Sequence, residues 1–429
     1  MNLKRPVWAL HVLIVGLALH NLVMSQLWRA GVRGTALTVI AAWKDVLLLV
    51  AVALVVSSRR GLPFKATPSD WLALAFGAFV VLYGVLPQSW LGGGATHRGV
   101  LYGARHDLLP FGAYFLGRGL DLTEAERARI CRTVLAVAAF VAAVGLIDVY
   151  AVPLSWWRHS AGWFHDQLGL QYHGLSGLPE NFVYNAGNGV VFRRLTSTFL
   201  SPLATSYLLV VAVLFVPLRR RWGWPLAILL VVALLFTHTR AALLALVVGL
   251  AVLAAVRRSV RPAVYAVAFV IVGFAFVKGY DQFAPRTHFT AQELQVQKQI
   301  ARQHPSASHD PTSARESSLT EHLTSLRDGA TTVLHHPWGY GLGNSGVTAA
   351  RTHVEVKAGE STYTELGVEL GVLGALVFVA WSLSLLRATL RRPWLGAAFA
   401  AVLFLGLQTD VIGVPWIAVT VWTLAGDSA

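Results

Sequence analysis

Apolar runs of membrane-spanning length recur along the whole chain, and they constrain the fold more than any other feature. A helix needs about 20 residues to cross the hydrocarbon core, with a range of roughly 17–25. Such runs begin at Val7, Thr35, Trp71, Leu101, Thr133, Pro202, Pro262, Thr362, Pro393 and Asp410. One further stretch, Pro225–Val256, is too long for a single helix and carries Thr237-His238-Thr239-Arg240 in its middle. It reads as two short helices meeting at that tetrapeptide. The expected fold is an all-α polytopic membrane protein with about 12 transmembrane helices.

Composition agrees. Hydrophobic residues make up 55% of the 429 and charged residues only 13%, with mean hydropathy +0.58; soluble domains carry roughly 25% charged residues. The connections Ser57–Asp70, Arg118–Arg132, Arg219–Arg221, Arg257–Arg261 and Arg387–Arg392 are short and basic. With a cytoplasmic N-terminus they all fall on the cytoplasmic side, as the positive-inside rule requires, and the C-terminus lands there too. The net charge of +14 then reflects topology and contact with the lipid bilayer, not nucleic acid. The lone Cys131 excludes an internal disulfide. Lys4 and Arg5 precede an apolar run with no small-residue cleavage site, so the first helix is expected to stay as an anchor.

The domain plan follows: residues 1–153 hold helices 1–5, 154–201 a first large outer loop, 202–277 helices 6–9, 278–361 a second large outer loop, and 362–429 helices 10–12. Loops this long are usually functional or disordered. The first is aromatic, with Trp156, Trp157, Trp163, Phe164, His165, Tyr172, His173 and Tyr184; its rings suit either an interfacial belt or stacking on sugars. The second opens on Gln292–Arg315, whose composition suggests mobility. Within the second span, Lys44 and Asp45 read as a structural ion contact inside the bundle or as a functional pair.

Ionisable side chains collect where the second loop hands over to the next helix. His322, Ser325 and Arg327 lie on a short amphipathic run, a glycine-rich His336-Pro-Trp-Gly-Tyr-Gly-Leu-Gly343 turn follows, and Glu360, Tyr363 and Glu369 stand at the mouth of an apolar helix. Polar groups gathered at a bilayer entry suggest a functional site. Three arginines, Arg105, Arg194 and Arg240, come to the outer face from separate parts of the chain, against the positive-inside trend. An arginine is always charged and presents a planar fork of donors suited to phosphate oxygens. Arg193 reads as a plain surface charge. Tyr340 and Asn344 are candidate sugar contacts.

Four pieces in order resemble the O-antigen ligase and polymerase superfamily: Arg194-Leu-Thr-Ser-Thr-Phe through Pro202, Thr237-His-Thr-Arg-Ala-Ala-Leu-Leu-Ala-Leu246, the 336–343 turn, and Glu360-Ser-Thr-Tyr through Glu369-Leu-Gly-Val-Leu-Gly374. The resemblance implies a C-type glycosyltransferase fold at the outer face of the bacterial inner membrane, acting on undecaprenyl-pyrophosphate-linked glycans as donor and acceptor. It implies metal-independent, inverting chemistry without a cofactor, and chain-length regulator or flippase proteins as possible partners. Arg194 and Arg240 fall on the family's outer-loop arginines and would hold the donor pyrophosphate. Glu360 and His322 take the remaining catalytic roles, and Arg105, Arg315, Arg327, Tyr363 and Asn344 the substrate contacts. Family ligases carry His-Asn where this chain has Glu360-Ser361, and an arginine near His322; the Glu-Ser form is closer to repeat-unit polymerases. The expected function is therefore glycan polymerisation. Rivals are a ligase passing the glycan to a lipid A core or other acceptor, and a lipid-linked glycan flippase.

Overall fold

The computed structural model describes residues 6–57, 66–159, 162–164, 182–185, 190–288, 317–429 and six isolated positions between 291 and 302. Arg315 and nearly all of Gln292–Arg315 lie outside the described residues, as do Arg59, Arg60, Lys65, His165, Tyr172 and His173.

Apolar side chains with no water to bond their backbone dictate helices, and helices dominate. They are α1 (Val7–Arg29), α2 (Gly34–Ala41), α3 (Trp43–Ser57), α4 (Pro68–Val85), α5 (Gln88–Leu91), α6 (His97–Leu120), α7 (Glu124–Ala151), α8 (Leu154–Arg158), α9 (Pro202–Phe215), α10 (Gly223–Phe236), α11 (Arg240–Arg257), α12 (Val260–Phe283), α13 (Ser317–His335), α14 (Gly346–Arg351), α15 (Thr362–Thr389), α16 (Pro393–Gly406) and α17 (Pro415–Gly426). Among the described residues, seven helices are long and apolar enough to cross a membrane, counting α2 and α3 as one: α1, α2–α3, α4, α7, α11, α12 and α15. Four more, α9, α10, α16 and α17, are apolar but shorter. The outward faces stay greasy: Leu49, Val81, Val260 and Leu373 are all exposed, as lipid contact requires.

The two halves of the chain interleave. α6 packs closely on α17, α4 on α15, α1 on α7 and α17, and α11 on α16. The α6–α17 crossing depends on small residues. A Cβ at Gly117 would sit 2.0 Å from the Thr423 carbonyl oxygen, and one at Gly426 would sit 2.3 Å from that of Tyr114. At the end holding the C-terminus, ion pairs fasten the helices: Arg118 grips Asp70 (Nε–Oδ1 2.9 Å), while Arg127 and Arg392 share Asp427 (2.5 and 3.3 Å).

Three features depart from the sequence reading. A short antiparallel sheet, β1 (Val183–Asn185), β2 (Val190–Arg193) and β3 (Arg286–His288), joins the two long loops, with Tyr184 opposite Phe192 and Phe192 opposite Arg286. Trp157, Trp163, Phe164 and Phe182 form a small buried core with Met24 and Leu37, so these loop aromatics are packed against α1 and α2. The amphipathic run bearing His322 is a 19-residue helix, α13, lying along α15 with Gly329 on Thr364 and Val333 on Gly367.

Candidate active site

The long apolar stretch breaks at Thr237–Thr239, and that break builds the arginine site. The α10 carbonyls at its C-terminal end need donors, and Arg194 supplies them. Its Nε donates to the Thr237 carbonyl (2.9 Å), and its Nη2 to the His238 carbonyl (3.4 Å) and Thr239 Oγ1 (3.1 Å). Arg240 is the first residue of α11, beside Arg194. Burial depresses the Arg194 guanidinium to about 10; Tyr280 opposes this, and the Arg240 charge adds to it. Among the described residues Arg194 has no carboxylate partner.

His238 adopts φ +51°, a left-handed conformation that costs a non-glycine residue about 1–2 kcal/mol. Its ring is held between those of Tyr184 and Tyr280, at 4.5 and 4.9 Å between centroids. Burial lowers its pKa to about 3, with Arg194 and then Arg240 adding to the effect, so it is neutral at working pH. Two guanidiniums, a neutral imidazole and a helix N-terminus face one small region, which can stabilise an anion. Arg193 is not a surface charge: it is 4% exposed and bound to Asp148 Oδ2 at 3.1 Å and the Val152 carbonyl at 3.0 Å. Arg193 ends β2 with its side chain in the core, and Arg194, just past the strand, is left for the site.

A chain of contacts runs from the arginines to the post-loop helix. Tyr207 lies near Arg194 and the Thr409 and Asp410 side chains, its buried hydroxyl without a hydrogen-bond partner among the described residues. Thr362 bonds the Thr409 carbonyl through its hydroxyl (3.2 Å) and accepts from the Val411 amide (2.9 Å), and Ser361 donates to the Gly406 carbonyl at 3.0 Å. Glu360 precedes these anchors at φ +66°, and its Oε2 meets His322 Nδ1 at 2.5 Å. Glu360 is exposed and His322 half-buried. Strained residues held by their surroundings cluster at functional sites, and this pair sits on the open end of the bundle.

The glycine-rich turn docks into a break in α15. Gly371, at φ +71°, interrupts that helix. The Val372 amide bonds the Pro337 carbonyl (2.8 Å) and the Tyr340 amide bonds the Val368 carbonyl (2.6 Å), so the turn restores bonds that the break removes. A Cβ on Gly371 would lie 2.6 Å from the Pro337 oxygen. Glu369 then accepts from the Gly343 amide (3.0 Å) and Ser345 Oγ (2.9 Å).

The other expected contacts fall in different places. Asn344 is fully buried; its Nδ2 donates to Gln88 Oε1 and the Tyr340 and Gly341 carbonyls, and its Oδ1 accepts from Gly94. Its polar atoms serve the turn. Tyr363 is half-buried and donates to the Leu403 carbonyl at 2.9 Å. Arg327 is exposed on α13. Arg105 sits two turns into α6 and pairs with Asp45 at 2.9 Å, so Asp45 is part of an ion contact. Lys44 turns instead to His20 (3.3 Å) and the Ala41 carbonyl (2.8 Å).

One cluster escaped sequence reasoning in all its members but Glu369. His106 bridges Asp107 and Asp410, at 2.8 Å to each, and Glu365 and Glu369 lie beside it. It ties α6, α15 and the link before α17 beneath the outer loops. The signals were an i, i+4 glutamate pair on one helix face and a His-Asp pair inside an apolar segment.

Residues 225–379 match the family model described as O-Antigen ligase. No curated protein and no solved structure matches the chain. The matched segment, about a third of the chain, contains Arg240, the 336–345 turn, Glu360 and both buried glutamates, and it supports a likeness to the O-antigen ligase and polymerase superfamily.

Proposed function

We propose that the protein is a membrane glycosyltransferase that polymerises undecaprenyl-pyrophosphate-linked oligosaccharide repeat units at the outer face of the bacterial inner membrane. In this reading the chain crosses the membrane twelve times, with both termini cytoplasmic, and needs neither metal nor cofactor. The observation that carries it is the Arg194–Arg240 pair around the His238 turn, inside or beside the matched family segment.

The acceptor hydroxyl attacks the anomeric carbon of the donor from the face opposite its pyrophosphate. The new glycosidic bond forms as the bond to pyrophosphate breaks, and undecaprenyl pyrophosphate leaves. Arg194 and Arg240 stabilise the charge growing on that leaving group, which is usually the largest contribution to such catalysis. Glu360 takes the proton of the acceptor hydroxyl, and His322 holds its carboxylate at 2.5 Å. Arg194 is fixed before substrate arrives, since its donors already cap α10.

The family description favours a second reading, a ligase that moves a finished glycan onto a separate acceptor. Purified protein incubated with its lipid-linked repeat unit, without metal or nucleotide sugar, separates the two. A ladder of chain lengths supports polymerisation. Product only after a separate acceptor is added makes the protein a ligase. Transfer of lipid across a liposome bilayer without glycan joining removes both readings.

A further inference from the structure

A basic cavity opens at the same end of the bundle, on its N-terminal side. It encloses about 520 Å³ and is lined by Trp28, Arg33, Thr35, Thr38, Arg98 and Tyr102. Its cations rest on aromatic faces. The Arg33 guanidinium lies 4.3 Å over Trp28, and those of Arg98 and Arg351 lie 5.2 and 4.7 Å from the centre of Tyr102. Arg351 comes from the second outer loop, and Arg105 and Lys44 stand close enough for the charges to act on one another. Of these five cations, only Arg105 has a carboxylate partner among the described residues. A guanidinium stacked on a ring keeps its edge N–H groups for a planar or tetrahedral oxyanion. The buried indole N–H of Trp28 also has no acceptor among the described residues.

The surroundings favour a lipid as the source of the anion. Val39 and Ile40 on α2, and Leu101 on α6, turn exposed apolar side chains outward beside the cavity. A headgroup held at the arginines would therefore have its tail against greasy helix faces. Polymerisation joins two molecules that each carry a polyprenyl pyrophosphate, and two such anions on one membrane face need separate cation sets. Resting on the polymerase reading, we propose that this cavity binds the pyrophosphate headgroup of the acceptor's polyprenyl carrier, while Arg194 and Arg240 hold that of the donor.

Native mass spectrometry of the full-length protein, titrated with glycan-free undecaprenyl pyrophosphate, tests this. Two lipids should bind per chain. Arg98→Gln with Arg351→Gln should weaken one of them by about 10- to 100-fold, and Arg240→Ala the other. Should the double variant fail to fold, Arg33→Gln is expected to weaken the same lipid. Phosphatidylglycerol and inorganic pyrophosphate run as parallel probes. Equal competition by phosphatidylglycerol would make this a general phospholipid site, and equal binding of inorganic pyrophosphate would remove the lipid; either overturns the proposal. A single bound lipid, or two that survive every cavity variant, overturns it as well. The outcomes stay separable from the function itself. A product ladder with one bound lipid keeps the polymerase and removes the second site, whereas two bound lipids without a ladder do the reverse.

Discussion

Two sets of arginines, one at each end of the bundle, are used in opposite ways, with Arg193–Asp148 and Arg105–Asp45 as carboxylate pairs that stand apart from the second set. At the end holding the C-terminus they meet carboxylates: Arg118 grips Asp70 through two bonds, at 2.9 and 3.0 Å, and Arg127 and Arg392 converge on Asp427. At the other end Arg194 binds carbonyls and a hydroxyl, and Arg33, Arg98 and Arg351 lie on rings. The first set is electrostatically complete. Among the described residues the second set has no carboxylate partner, an arrangement that fits a site receiving an anion. Side-chain identity alone does not distinguish the two uses; the partner does.

Substitutions at each end should therefore separate stability from rate. The largest effect is expected from Arg118→Ala, which leaves buried Asp70 with only its Tyr114 and Thr67 bonds and should cost about 3 kcal/mol, read as thermal unfolding in detergent, with turnover per folded molecule unchanged. Arg240→Ala should lower turnover on the order of 10²–10³-fold with a small change in Tm; normal chain lengths from this variant would remove the arginines from the chemistry. Arg194→Lys should not recover the wild-type rate, because an ammonium cannot make the Nε and Nη2 bonds together. Next comes His322→Ala, with a loss of roughly 10- to 100-fold from the freed Glu360 carboxylate, measured as ladder formation over time.

The smallest effect concerns pH. The unfolded chain protonates His238 as pH falls past about 6.5, while the buried ring stays neutral down to about 3. The native state thus loses ground through that window, by about 1 kcal/mol between pH 6.5 and 5.5. His238→Asn, which tolerates the same left-handed backbone, should flatten this part of the stability profile.

What was legible from sequence was what is local. The break at Thr237–Arg240 announced itself by polar residues inside an overlong apolar run, and the glycine-rich turn by composition. The partners of each charge were not legible. Arg193 and Arg194 are neighbours of identical type, and only Asp148, 45 residues away, decides which one is structural. The His106–Asp410 contact spans 304 residues, and the strands of the small sheet are three or four residues long and exist only because they pair. The 19-residue α13 read as a short run because its polar face outweighs its apolar one.

The small sheet also acts as a parity lock. Side chains alternate along β2, so its register with β1 and β3 decides which of two adjacent arginines is swallowed and which is presented. A slip of one residue would deliver Arg194 to Asp148 and aim Arg193 toward the His238 turn. Because β3 enters from the second long loop, that loop holds a vote on the first loop's arginine. Any binding event that pulls Arg286–His288 off the edge would loosen the assignment without touching either arginine.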